Sequence, residues 1–233
     1  MPVETKEIFL DDVPDLTSRL ARIRAMALEI ERLPDDTYAP VGSILEQVEW
    51  YSLAAVTKST SNAHAFCSLV EQRNTIAASA IVRMQIETAM RMFGLTLVAD
   101  VEAAGDHLME GKKYGQLRAR DGTKLADKIL HERLSAEYEW VTKAYEDTSA
   151  FVHLDGENIR SKLVHLSMGA FFNLSGVDAQ RPEHAYFHLA DTFFIALRMT
   201  RNILADFLAT RPQPQERALR LAAFRRARER GGS

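Results

Sequence analysis

Three charged side chains, Arg83, Glu87 and Arg91, recur at every fourth residue of an otherwise apolar stretch, 76–98. At 100° per residue they cover an arc of about 80° on one helix face. The same face continues into Ile76, Ala80, Gly94 and Val98, which are apolar or small. A solvent-facing stripe stays polar along its whole length, so a short polar stripe with apolar ends predicts a helix buried nearly all round. Buried charges need partners, because an unpaired one costs several kcal/mol. A matching stripe exists downstream: Tyr145, Ser149 and His153 are again four residues apart. On a helix they project from one face over about 12 Å. If the two helices pack, Tyr, Ser and His meet Arg, Glu and Arg. His153 falls in a last helical turn, where the helix dipole favours its charged form, and Glu87 could hold that charge. Such a set suits acid–base chemistry on RNA without metal, in which a histidine moves protons and a cation stabilises the charged phosphorane. His153, Arg83, Glu87 and Ser149 are the candidate catalytic residues; Arg91 and Tyr145 are candidate binding residues. The same spacing fits a second reading, a buried ion-pair network that only fixes the register of two helices.

The blocks Ala78-x-x-Ile81-x-Arg83-x-x-x-Glu87 and Tyr145-x-x-x-Ser149-x-x-x-His153 resemble a bacterial family of all-helical domains of unknown function, grouped with HEPN-like helical domains. The resemblance spans roughly residues 60–160. It implies an all-helical bundle with a polar pocket made by Arg83, Glu87, Ser149 and His153. HEPN-like proteins are often metal-independent ribonucleases, or inert relatives of them, in toxin and phage-defence systems. Their catalytic signature is an Arg, then four to six residues, then a His, and no such Arg precedes His153. Arg160 with His165 and Arg181 with His188 fit the spacing literally. About two such pairs are expected by chance at this composition, so the spacing alone carries nothing.

Helical periodicity supplies the elements that must position these residues. Leu16, Leu20, Ile23, Ala27 and Ile30 mark an amphipathic helix over 14–33, with a linker over 34–42. Ser43 and Glu46 form a capping-box pattern that predicts a helix start at 43. The polar run 58–62 predicts a break in that helix. Asn74 or Thr75 caps the Arg83 helix, and a further helix is expected over 101–118. Asp121 and Gly122 form a turn. The longest helix is expected over 124–153, carrying the Tyr145 stripe, with Gly156 at its C-cap. Residues 161–175 fit no helix and read as a strand pair or an irregular insertion. Pro182 opens a helix over 183–210, and a last helix runs to about 230. The expectation is an all-α bundle of six or seven helices in three parts: an N-terminal helix and linker over 1–42, a bundle over 43–210, and a basic helix or tail over 211–233.

Composition bounds the rest. The chain has 233 residues, a formal charge of -3 and a single cysteine. That excludes a protein coating nucleic acid with its whole surface and a disulfide framework, and it fits a reducing, cytoplasmic setting. Residues 211–230 hold seven Arg against two Glu. This surplus of five leaves -8 on the rest of the chain. A basic helix of this kind suits a nucleic-acid contact, a membrane surface or a dock on the acidic body. No segment is suited to crossing a bilayer, since Arg83, Glu87 and Arg91 interrupt the most apolar one. His184, His188 and Asp191 have metal-ligand spacing but lack the glutamate of a zinc-protease motif, so no metal and no cofactor is expected. Cys67 reads as a core residue. RNA and a second copy of the chain are the expected partners.

Overall fold

The computed structural model describes residues 13–37, 45–152, 163–166, 169–172, 174–178 and 180–211. The chain is an all-α bundle. Among the described residues, α1 spans Leu16–Thr37, α2 Gln47–Glu71, α3 Thr75–Leu97 and α4 Val101–Met109. After a 3-10 turn at Tyr114–Gln116 come α5, Asp127–Glu137, and α6, Trp140–Val152. Strands β1 (Leu163–Leu166) and β2 (Gly169–Phe172) pair antiparallel, with Leu163 opposite Phe172, and a 3-10 turn at Glu183–Tyr186 leads into α7, Phe187–Ala209.

Helix α3 is the axis of the bundle. It packs against α2, α7, α6 and α5, and its Ala78, Val82, Ile86 and Ala89 have no exposed surface. Asn74 starts it by accepting from the Ala77 N–H at 3.1 Å, which satisfies one of the free donors of the first turn. Helix α1 lies along α7 and α2, burying Ile23 and Ile30 completely. Where α2 meets α7, the rings of Phe66 and Phe193 stack with centroids 4.1 Å apart. Two glycines mark close approaches. A Cβ on Gly94 would strike the Tyr114 hydroxyl, and one on Gly105 would lie 2.5 Å from the Val48 backbone nitrogen, where α4 crosses the start of α2.

Several sequence expectations need correction. Helix α1 continues through Pro34 to Thr37 instead of yielding to a linker at 34. Leu33 and Pro34 are both buried, and that burial offsets the backbone hydrogen bond that proline removes. Helix α2 begins at Gln47, where Glu49 Oε2 accepts from the Glu46 N–H at 2.7 Å; Ser43 lies outside the described residues. The polar run 58–62 does not break α2, because Ser59 and Asn62 bond across the core, as described below. The helix expected over 101–118 ends at Met109, with Gly111 at a positive φ of 76° two residues later.

The helix expected over 124–153 is two helices. The chain leaves helical geometry at Tyr138 (φ -135°, ψ 87°) and resumes at Trp140. No proline or glycine marks the site. The helix expected over 183–210 opens as a 3-10 turn before α7 begins. Arg211, grouped by sequence with the basic tail, is 6% exposed. Its Nε lies 3.3 Å from Oε1 of the fully buried Glu49, and its Nη2 pairs with Glu102. The remaining tail, 212–233, lies outside the described residues, as does Gly156.

No helix among the described residues is long and apolar enough to cross a membrane.

Candidate functional site

Arg83 of the first polar stripe meets Tyr145 and Ser149 of the second. Arg83 leaves α3 toward α6, with which α3 is packed. Its Nε donates to Glu87 Oε1 at 3.0 Å. Its Nη1 donates to Ser149 Oγ at 2.6 Å and to the Tyr145 carbonyl at 3.2 Å. The guanidinium carbon lies 3.0 Å from the centre of the Tyr145 ring, a cation–π contact. Ser149 gives its own proton to the Tyr145 carbonyl at 2.5 Å, so its oxygen is turned to accept from Arg83. Helical spacing is the cause throughout. One turn separates Arg83 from Glu87 and Tyr145 from Ser149, so both members of each pair share a face.

The arrangement is oriented on one side and open on the other. The Arg83 side chain is 14% exposed, whereas that of Glu87 is 41% exposed. The expectation that both are largely buried therefore holds for Arg83 alone. Glu87 reaches past the rim of α3 into water, and the other Arg83 terminal nitrogen, Nη2, makes no hydrogen bond or ion pair among the described residues.

Arg91 stands apart from this cluster. It pairs with Asp127 at the start of α5, Nη2 to Oδ1 at 2.6 Å, and lies over the Tyr114 ring, 4.8 Å from its centre. The Tyr114 hydroxyl donates to the Arg91 carbonyl at 2.5 Å, and burial pushes that phenol's pKa far up. The two turns separating Arg83 from Arg91 place the latter opposite α5 rather than α6. His153 lies outside the described residues.

A residue not singled out by sequence joins the cluster instead. The His131 ring, from α5, lies 4.3 Å from the Tyr145 ring, centre to centre, at 37°. Its Nε2 is 3.4 Å from the Ser135 hydroxyl one turn on. Burial pushes its pKa below the usual histidine range, and the Arg83 charge pushes the same way; Glu146 and Glu132 oppose them. The imidazole is accordingly neutral near pH 7 and can accept a proton. Thus α3, α5 and α6 bring together an oriented guanidinium, a neutral imidazole, a carboxylate and an aromatic ring.

The candidate metal spacing has another use. Asp191 forms a buried ion pair with Arg19 of α1, and Arg19 also lies 4.3 Å from the centre of the Phe187 ring. Among the described residues no three His, Cys, Asp or Glu side chains gather as a metal site. Burial pushes the Cys67 thiol up to about 11, which keeps it protonated and unreactive. Two cavities, of about 390 and 490 Å³, open elsewhere; neither is lined by Arg83, Glu87, His131 or Ser149.

Comparison with family models, with curated proteins and with solved structures finds no match.

Proposed function

We propose that the protein is an RNA-directed helical protein of the HEPN-like kind, with the α3–α5–α6 cluster as its phosphate-contacting site. The observation that carries this reading is Arg83. Its guanidinium is held by Tyr145, Ser149 and Glu87, yet Nη2 is left for an anionic oxygen, and a neutral imidazole lies against the same aromatic ring. A phosphate taken up by Arg83 would sit in a site that needs no metal. If the RNA is also cleaved, His131 takes the proton of a 2′-hydroxyl while its oxygen bonds to phosphorus. The 5′-oxygen then leaves with a proton from water. A toxin or defence setting follows from the family resemblance alone.

The test is binding and cleavage of a structured RNA, such as a tRNA, at low salt, where electrostatic binding is strongest. Wild-type protein should bind, and any cleavage should persist in EDTA. Arg83→Gln and His131→Gln should lose cleavage while circular dichroism shows the fold intact, and Arg83→Gln should also weaken binding.

A second reading has its own observation. Three Arg83 donor contacts are already satisfied inside the protein, as in a lock between helices. On that reading the protein is a non-catalytic interaction or oligomerisation module. Wild-type protein that neither binds nor cleaves RNA at low salt, but self-associates in sedimentation, would establish the module.

A further inference from the structure

We propose that the cavity between the first turns of α3, helix α6 and the start of α7 binds a small organic acid, an apolar body carrying one carboxylate. The cavity is about 390 Å³, within the range of small-molecule sites. Its walls include the buried Ala144 and Ile195. The hydroxyls of the buried Ser79 and Thr148 also line it, but their protons go to the carbonyls of Thr75 and Ala144 in their own helices. The floor therefore suits an apolar group.

Two groups around this floor are uncommitted. Trp140 lines the cavity, and its indole Nε1–H is buried without a hydrogen-bond partner. A buried donor without an acceptor is costly, and a ligand oxygen would satisfy it once the indole turns to expose the N–H. Arg181 stands exposed at the rim. Its guanidinium has a single contact among the described residues, the Tyr186 ring, whose centre is 5.9 Å away. The acidic groups beside it are engaged: Asp147 takes Lys143 at 2.7 Å, and Asp178 accepts from the Thr75 hydroxyl at 2.6 Å. A cationic ligand would meet an uncompensated arginine, and a neutral one would leave it unused. A carboxylate uses both the arginine and the indole donor. None of these residues belongs to the Arg83 cluster, so the proposal stands or falls independently of the RNA reading.

The test uses the full chain with Trp50→Phe, which leaves Trp140 as the sole indole. Octanoate and phenylacetate are titrated against its fluorescence, with 1-octanol as the uncharged twin of octanoate. A saturable one-to-one change is expected for the acids, with octanol about tenfold weaker, the scale of one charge-assisted contact. Arg181→Glu, a change at an exposed position that leaves the fold unthreatened, should weaken octanoate by at least about tenfold and leave octanol unchanged. No saturable change up to millimolar acid, or equal binding by the Arg181→Glu chain, overturns the proposal.

Discussion

Gln85 and Arg83 stand two residues apart on α3 and carry polar clusters of opposite design. Gln85 faces α2 and α7 and has no exposed surface. Its Nε2 donates to Ser59 Oγ at 3.2 Å and to Thr200 Oγ1 at 2.8 Å, and its Oε1 accepts from Asn62 Nδ2 at 3.0 Å. Every partner is neutral and buried. Such a network specifies how three helices meet, and it has nothing left to offer a ligand. Arg83 faces α6 with a charge, a half-exposed carboxylate beside it and an unused donor. One helix thus carries a closed lock on one side and an open-edged polar cluster on the other. Polarity within a bundle does not by itself mark function; the informative quantity is what remains unsatisfied at the edge.

The comparison is sharpened first by a third centre, where charge is closed in. Arg211→Ala would take from the fully buried Glu49 its arginine partner, with Glu102 as a less buried neighbour. A loss of about 3–5 kcal/mol is expected in urea unfolding. A chain ending just after Arg211 should keep that stability, and one ending just before it should not. Gln85→Ala comes next, at about 2–4 kcal/mol, because it opens a void and strands Asn62. A smaller cost there than at Arg83 would reverse the assignment of lock and site. Arg83→Ala should cost about 1–2 kcal/mol, the value of hydrogen bonds made by a mostly buried charge at an accessible edge. For Glu87→Ala, less than about 1 kcal/mol is expected, since a pair this exposed is screened by water.

The smallest effect is a pH dependence. His131 has a folded-state pKa below its unfolded one, so the unfolded chain binds the proton first. Stability from this residue is fully present above the usual histidine range and is lost as pH falls through the depressed folded value. His131→Gln should flatten the stability profile below about pH 6.5. An unchanged profile would place the imidazole in water, away from Arg83.

Much of this was legible in sequence. The apolar-ended stripe on α3 and the Tyr145–Ser149 stripe point at each other because four-residue spacing fixes a face whatever the rest of the chain does. The partner of Arg91 was not legible, since two helical turns carry it beyond α6 to α5. His131 was hidden by the break at Tyr138. In one continuous helix, 14 residues would hold it about 21 Å from Tyr145 along the axis. Only the turn between α5 and α6 folds it back, and no proline or glycine announces that turn. The 58–62 run misled for a related reason: serine and asparagine compete with the backbone in isolation, but Ser59 and Asn62 find Gln85 across the core.

The central claim, that the Arg83 side of α3 is a site and the Gln85 side a lock, is tested most directly by side-chain NMR. A structured RNA is added at low salt while the Arg83 Nε–H, the His131 ring and the Gln85 side-chain amide are followed. The account predicts that the Arg83 and His131 signals shift with RNA while the Gln85 amide stays in place. Arg83 and His131 signals that do not move, or a shift confined to Gln85, would contradict it.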